Sequence, residues 1–127
     1  RMLWEDEHCK VVLSEYPRYW GHALVLLKRH ITSYSEMTSE EAESLFKNGH
    51  RIAKMIEQKL NPVRCFMAGV GTERTDVPHS SPHLHLNVIP VFKESARPAK
   101  VFTWENGIYT GTEAEWTELV ITLTQFE

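Results

Sequence analysis

The feature that most constrains the fold is an alternation of apolar and polar side chains in residues 82–90, which read PHLHLNVIP. Successive side chains of an extended strand point to opposite faces, so His83, His85 and Asn87 share one face and the apolar residues share the other. The apolar face predicts a strand packed on a core. The polar face would desolvate two imidazoles, which requires that they are hydrogen-bonded, bind a metal or act in catalysis.

Two interpretations compete with catalysis. Alternate strand residues can both reach one zinc ion, and the available further ligands are Cys9, Cys65, His50, Asp76 and His79. No Cys-x-x-Cys or His-Glu-x-x-His motif accompanies the pair, however. The rings can also be structural groups, hydrogen-bonded at a sheet surface. Two imidazoles in register, followed by an amide, favour a catalytic site over both, and we predict no bound metal and no cofactor.

Strands on both sides of one long helix are predicted for the rest of the first 94 residues. β-Branched and apolar content predicts strands at residues 10–13, 22–27, 63–70 and 82–92. Thr38 or Ser39 can cap a helix with an acidic first turn, whose apolar positions recur at helical spacing until Asn61 and Pro62 end it. Residues 33–37 are expected to form a shorter turn or helix before this cap. This order predicts an α+β domain built on an antiparallel sheet.

The pattern is weaker beyond the 1–94 domain core. We expect residues 95–127 to be an extension that packs on the same domain or on a dimer partner. Its predicted parts are a linker at 95–100, a short strand at 101–104, a turn at 106–107 and a helix at 113–124. Because residues 120–122 are β-branched, a strand is the alternative prediction for the second half of that helix.

Composition limits the class of protein. The 127 residues suit one domain, and 42% hydrophobic and 24% charged residues are ordinary globular values. A net charge of −3 provides no broad basic surface, so we expect no nucleic acid polymer as partner. We also expect no membrane association, because no apolar run is long enough and no signal segment opens the chain. The 2 cysteines are typical of a reducing compartment, so we expect a cytoplasmic location.

The motif and its surroundings resemble the histidine triad (HIT) superfamily, whose signature is His-x-His-x-His followed by apolar residues. Residues 4–13 resemble the opening strands of the family. Residues 17–30 resemble its succession of a proline, Gly-His, an apolar strand and a basic stretch ending in histidine. The resemblance spans residues 3–92. It implies a HIT-like antiparallel sheet of about five strands with one long helix and a shorter helix, assembled as a homodimer.

The resemblance implies a nucleotide phosphohydrolase or nucleotidyl transferase. In that chemistry His85 attacks the α-phosphorus of a dinucleoside polyphosphate or nucleoside phosphoramidate and forms a covalent nucleotidyl-imidazole. Neutral imidazole is nucleophilic near pH 7 and is later a good leaving group. A backbone carbonyl or similar acceptor must hold the proton on the other ring nitrogen. The resemblance gives His83 the role of orienting the site.

The third position of the triad is Asn87, where the family has histidine. An amide can donate a hydrogen bond to a phosphate oxygen but cannot carry a positive charge. Losing one charge-assisted contact costs about 1.5–3 kcal/mol, which corresponds to a roughly ten- to hundredfold slower turnover. An alternative function is therefore a nucleotide-binding protein of the same fold with little or no catalytic activity, and Asn87 and Ser14 are the residues that favour it.

The resemblance also implies contacts for the rest of a small nucleotide substrate. Ser80 falls at the position of the phosphate-binding hydroxyl, with His79 beside it, and Ser14 falls where the family binds the ribose. The residues expected around the nucleoside are Ser14, Leu3, Trp4, Leu26 and His30.

Overall fold

A computed structural model of the chain describes residues 1–70, 83–93, 101 and 108–126. These residues form one five-stranded antiparallel sheet with the strand order β1-β2-β3-β5-β4. The elements are β1 (Met2–Glu5), β2 (Cys9–Leu13), β3 (Ala23–Leu27), a 3-10 turn (Tyr34–Glu36), α1 (Ser39–Leu60), β4 (Arg64–Val70), β5 (His85–Val91) and α2 (Glu113–Leu123). The predicted α+β class is confirmed, as are the sheet of five antiparallel strands, the long helix and the shorter helix.

Strand β5 lies between β3 and β4, and its register settles which side chains are neighbours. His85 is opposite Leu26 of β3, and Asn87 is opposite Leu24. The strand begins at His85, so the predicted span of 82–92 was too long, and Pro82 lies outside the described residues. His83 precedes the strand, and the backbone of Leu84 is held by its N–H bond to the Ile31 carbonyl, at 2.8 Å.

The two faces of the sheet are used differently. We call the side that carries Val25, Leu86 and Val88 the helix-covered face, because these residues pack with α1 and α2 in the main core. The close approach of α1 is visible at Gly49, where an added Cβ would lie 2.5 Å from Leu86 Cδ2. The opposite side, which carries His85 and Asn87, is the histidine face. The predicted alternation along the motif is therefore confirmed within β5.

Helix α1 begins and ends where its sequence predicts. The Thr38 hydroxyl accepts the Glu41 N–H and the Glu41 carboxylate accepts the Thr38 N–H, which closes a capping box. Arg29 binds the same carboxylate at 2.8 Å, and its side-chain hydrogen bond is the main cause that lowers the pKa of Glu41 to about 2. At the other end Asn61 adopts a left-handed conformation with φ 51°. None of the helices in the described ranges combines the length and apolar character that a bilayer crossing needs.

The C-terminal residues 108–126 pack on the same domain. Helix α2 opens with a second capping box, between Thr112 and Glu115, and places apolar side chains in the main core. Trp116 of α2 contacts Trp20, with ring centroids 4.5 Å apart. The helix continues to Leu123, so the alternative of a strand in its second half is wrong. The strand predicted at 101–104 is also wrong at Val101, because this residue has helical backbone. The predicted linker at 95–100 and turn at 106–107 lie outside the described residues.

A polar network attaches the β1–β2 turn to helix α1. Asp6 accepts the backbone N–H groups of His8 and Cys9, and its carboxylate also binds Ser44 and Asn48 of the helix. Burial by itself raises the pKa of Asp6, but these hydrogen bonds outweigh it, so the pKa is lowered. The carboxylate therefore remains ionised and keeps accepting from two elements that are distant in sequence.

A buried histidine connects β3 to β5. His22, directly before β3, is 2% exposed, and its Nε2 lies 2.8 Å from Oδ1 of Asn87. Its Nδ1 accepts the backbone N–H of Arg18 at 3.2 Å, so the proton of the neutral ring must be on Nε2, where it is donated to Asn87. Burial is the main cause that lowers the pKa of His22 to about 3. The ring is a neutral cross-strand link.

The buried neutral ring predicts acid-sensitive folding. The unfolded chain protonates His22 near its ordinary pKa of 6.5, whereas the folded chain protonates it only at about 3. Stability therefore falls as the pH falls through this window, by up to about 1.4 kcal/mol for each pH unit. Urea unfolding at neutral pH and near pH 5 measures this loss, and a His22→Gln variant should lose clearly less over the same interval. Equal losses in the two proteins would contradict the prediction.

Candidate active site

His85 stands at the beginning of β5 with its ring held in one tautomer. The residue is 8% exposed, and its Nδ1 lies 2.8 Å from the backbone carbonyl of His83. A carbonyl oxygen can only accept, so Nδ1 carries the proton of the neutral ring and Nε2 keeps its lone pair. The acceptor that the proposed chemistry requires is thus supplied by the main chain two residues earlier.

The surroundings of His85 keep the ring neutral at physiological pH. Burial is the largest cause and lowers its pKa below 6.5. The bond to the His83 carbonyl raises the pKa, while the charges of His83 and Arg18 lower it further. The net effect is a lowered pKa, and a neutral imidazole with a free lone pair is the nucleophilic form.

Asn87 has a defined orientation because His22 engages only its oxygen. The residue is 3% exposed, and its Oδ1 accepts the His22 proton at 2.8 Å. Since Arg18 N–H occupies the other nitrogen of His22, the opposite assignment of the amide would place two donors against each other. The amide N–H groups of Asn87 are therefore directed away from His22, on the face that also carries His85.

His83 and His30 form a second pair of rings beside the strand. Their Nδ1 atoms lie 3.2 Å apart, and the rings meet edge to face with centroids separated by 4.9 Å. One nitrogen of this contact must donate and the other accept. Burial is the largest cause that lowers the pKa of His83; the Leu27 carbonyl raises it and the charge of His30 lowers it. The structure thus brings His30 to the motif, next to its first histidine.

Next to His85 and Asn87 the histidine face is apolar. Val12, Leu24 and Leu26 are all half-buried, and they lie side by side in the register of β2 and β3. We call these three residues the apolar shelf. Leu26, predicted for the nucleoside, is directly opposite His85. The shelf is an apolar surface adjacent to the imidazole of His85.

Other predicted nucleoside residues make contacts elsewhere in the domain. Trp4 pairs with Val11 on the helix-covered face and donates its indole N–H to Asn48 of α1 at 2.8 Å. Leu3 also packs against the main core. Ser14 is buried, and its hydroxyl accepts the Tyr16 N–H at 3.2 Å, which accounts for this side chain as a turn residue. The predicted phosphate contacts, Ser80 and His79, lie outside the described residues.

Sequence reasoning missed three residues of this site, namely Arg18, His22 and Leu24. The alternation of β3 was a usable signal, because it puts His22, Leu24 and Leu26 on one face. The pairing of His22 with Asn87 depends on which strands are neighbours, and a local pattern carries no information on that. The proximity of Arg18 depends on a turn with no regular period.

The described residues offer little support for a metal site. Within residues 1–70, 83–93, 101 and 108–126 no three His, Cys, Asp or Glu side chains are grouped to hold a metal ion. Cys9 and Cys65 are free thiols on the helix-covered face, with pKa values raised by burial, that of Cys65 to about 12. His50 is exposed on α1, while Asp76 and His79 lie outside the described residues.

A known protein is similar to this chain in sequence. A 16.1 kDa HIT-like protein of Mycoplasma pneumoniae is 27% identical over 89 residues, which are 70% of this chain and 60% of that protein. The chain thus spans less than two thirds of the length of this curated relative. Its own function is uncharacterised.

Solved structures share the fold at low identity. A hypothetical histidine triad nucleotide-binding protein of Sulfolobus tokodaii has a TM-score of 0.73 at 19% identity, covering 98% of this chain and 80% of that one. Diadenosine triphosphate hydrolase of Plasmodium falciparum has a TM-score of 0.69 at 14% identity, covering 97% and 74%. The sequence model of the HIT domain matches residues 1–94. With that match over most of its length, the chain belongs to the HIT-domain family.

Proposed function

We propose that the protein is a nucleotide phosphohydrolase or nucleotidyl transferase that acts at the α-phosphate of a dinucleoside polyphosphate or nucleoside phosphoramidate. The observation that carries the proposal is the state of His85. Its Nδ1 donates to the His83 carbonyl at 2.8 Å, and its pKa is lowered mainly by burial. Nε2 is therefore left with a lone pair near neutral pH, as a nucleophile needs.

The proposed reaction has two displacements. In the first, His85 Nε2 forms a bond to the α-phosphorus as the bond to the leaving group breaks, and the leaving group departs with that electron pair and takes up a proton. The His83 carbonyl stabilises the positive charge that develops on the ring through Nδ1–H. In the second, water or another acceptor attacks phosphorus, loses its proton, and the neutral His85 ring leaves.

We assign the remaining contacts by chemistry. The amide N–H groups of Asn87 donate to the non-bridging phosphate oxygens, because its carbonyl oxygen is engaged by His22. Ser80 and His79 contact the phosphate or the leaving group in this proposal. The apolar shelf receives the nucleoside base, with Ser14 and His30 near its edges. Leu3 and Trp4 are left out, because they pack against the main core.

Similarity in fold supports the substrate class. One structural neighbour is a hypothetical histidine triad nucleotide-binding protein and another is a diadenosine triphosphate hydrolase. We further infer a homodimer, since β4 is at the edge of the sheet and presents one unpaired backbone side within the described residues. Residues 1–94 are then the catalytic core and 95–127 an extension of it. The free thiols agree with a cytoplasmic location.

The second candidate function is a nucleotide-binding protein with little or no catalysis. Asn87 favours it, because this residue cannot supply charge, and the engagement of the Ser14 hydroxyl by Tyr16 favours it further. Incubation with a fluorogenic adenosine phosphoramidate and with diadenosine polyphosphates separates the two. Release of AMP supports the enzyme, whereas tight AMP binding without product, even in an Asn87→His variant, supports the binding protein.

Removing the nucleophile tests the enzyme proposal directly. His85→Ala should abolish AMP release from both substrates and leave AMP binding measurable, because only the covalent step depends on the imidazole. His50→Ala on the exposed side of α1 is the matched control and should retain activity. Turnover by purified His85→Ala at the wild-type rate would rule out the covalent route.

The orientation of Asn87 predicts the effect of a near-isosteric change. In Asn87→Asp the oxygen that accepts from His22 is kept, while the donors are replaced by a negative oxygen facing the phosphate. We expect AMP affinity to fall at least about tenfold, since a hydrogen bond to a charged group contributes about 1.5–3 kcal/mol. Isothermal calorimetry measures the affinity and thermal melting confirms that the fold survives. Unchanged affinity would contradict this use of Asn87.

The lowered pKa of His85 predicts the acid side of the pH profile. Only the neutral ring attacks, so the acid limb of kcat/KM should have its midpoint below 6.5, the ordinary pKa of histidine. The pKa of His85 is lowered because burial disfavours the imidazolium form of the ring. Steady-state rates between pH 8 and pH 4.5 locate this decline. A midpoint above 6.5 would show that the ring is not held neutral.

A further inference from the structure

We propose that Arg18 supplies, at the phosphate subsite, the positive charge that Asn87 cannot supply. The ligand it recognises is the phosphate anion of a nucleotide. This inference rests on the proposed function for the identity of the ligand, and it adds a specificity-determining residue that the histidine motif does not contain.

The turn that carries Arg18 lies over the histidine face. Tyr19 packs against Ile89 and Val91 in a second, smaller apolar cluster, and these two residues have the same strand parity as His85. The carbonyl of Pro17 accepts the Tyr109 N–H at 2.9 Å, which secures the other side of the turn. The position of Arg18 is thus set by packing and backbone bonds on both sides.

The backbone of Arg18 is joined to the site by two consecutive hydrogen bonds. Its N–H donates to His22 Nδ1 at 3.2 Å, and His22 Nε2 donates to Asn87 at 2.8 Å. His85 is two residues before Asn87 on the same face. A side chain as long as arginine, starting from this backbone, is within reach of a phosphate placed between His85 and Asn87.

The charge of Arg18 already acts on these rings. It lowers the pKa of both His22 and His85, although burial is the larger cause for each. The arginine is half-buried, and desolvation lowers its own pKa, yet a guanidinium stays charged at any physiological pH. A partly desolvated charge interacts more strongly with an anion than a fully hydrated one.

The other titratable groups near His85 are poor substitutes for this charge. His22 is buried and neutral, and His83 has a lowered pKa and contacts His30. Lys10 has the parity of the histidine face, but it is exposed on β2, with β3 between it and the strand of His85. Among the described residues, the charges that act on His85 are those of His83 and Arg18.

The guanidinium of Arg18 would have two effects, one on phosphate binding and one on the protonation of His85. Phosphate gains a cation that matches its geometry, since arginine can donate two parallel hydrogen bonds. The nucleophile is also kept neutral, because a nearby positive charge disfavours the imidazolium form of His85. An imidazolium at position 87 would supply charge only while protonated, whereas Arg18 supplies it throughout the pH range of the enzyme.

The test compares Arg18→Met and Arg18→Lys with the unmodified protein. Neither variant removes the backbone N–H that His22 accepts, so the positioning of Asn87 should be kept. NMR titration follows the His85 ring in the free protein, and chemical-shift titrations measure the affinities for AMP and for adenosine. Lys47→Met, which removes an exposed charge on α1, is the matched control.

We expect Arg18→Met to weaken AMP binding at least about tenfold, as for loss of a charge-assisted contact. Adenosine affinity should change less than about twofold, the His85 pKa should rise, and Arg18→Lys should be intermediate. A merely structural role would not raise the His85 pKa while sparing adenosine. An Arg18→Met protein with unchanged AMP affinity and unchanged His85 titration overturns the inference.

These measurements separate this inference from the proposed function. Binding and titration need no turnover, so a wild-type protein that binds AMP but releases no product from the substrates would refute only the enzymatic proposal. If turnover is observed, the acid limb of kcat/KM should shift to higher pH in Arg18→Met and stay in place in Lys47→Met. If an active, folded Arg18→Met protein shows no such shift, the role proposed for Arg18 is contradicted and the proposed enzymatic function is not.

Discussion

The inner position of β5 is the constraint on which the rest of the structure depends. The strand is hydrogen-bonded to β3 on one edge and β4 on the other. Leu86 and Val88 pack with the helices, so His85 and Asn87 must lie on the opposite face. A shift of register by one residue would exchange the two sets, placing an imidazole and an amide in the core. The apolar packing of α1 therefore also determines on which face His85 and Asn87 lie.

The two buried rings of His22 and His85 are both held by hydrogen bonds. His22 accepts from one neighbour and donates to another, and His85 donates to a carbonyl two residues away. Both rings are consequently neutral, as the proposed nucleophilic role of His85 requires, but under the same proposal a bound phosphate lacks a counter-charge from them. The asparagine at position 87 makes this deficit larger, and we propose that the half-buried Arg18 supplies the missing charge.

Local signals were sufficient for most of the elements. Thr38 and Glu41 at one end of α1 and Asn61 at the other define the helix within a few residues of chain. They were insufficient in the C-terminal part. The β-branched residues 120–122 favour a strand locally, but the capping box at Thr112 and the burial of Leu119 and Leu123 outweigh that preference. Tertiary contacts decide such cases, because propensities differ by less than the free energy of burying one leucine.

By itself the sequence determined that His85 and Asn87 share a face, because the alternation of side chains in a strand is a property of the backbone. It also determined the capped long helix and the antiparallel α+β class. Only the tertiary structure decided that His22 meets Asn87, that the backbone N–H of Arg18 binds His22, and that Trp4 belongs to the opposite face. These contacts join residues up to 65 positions apart. They follow from strand order and register, which are set by the packing of the whole domain.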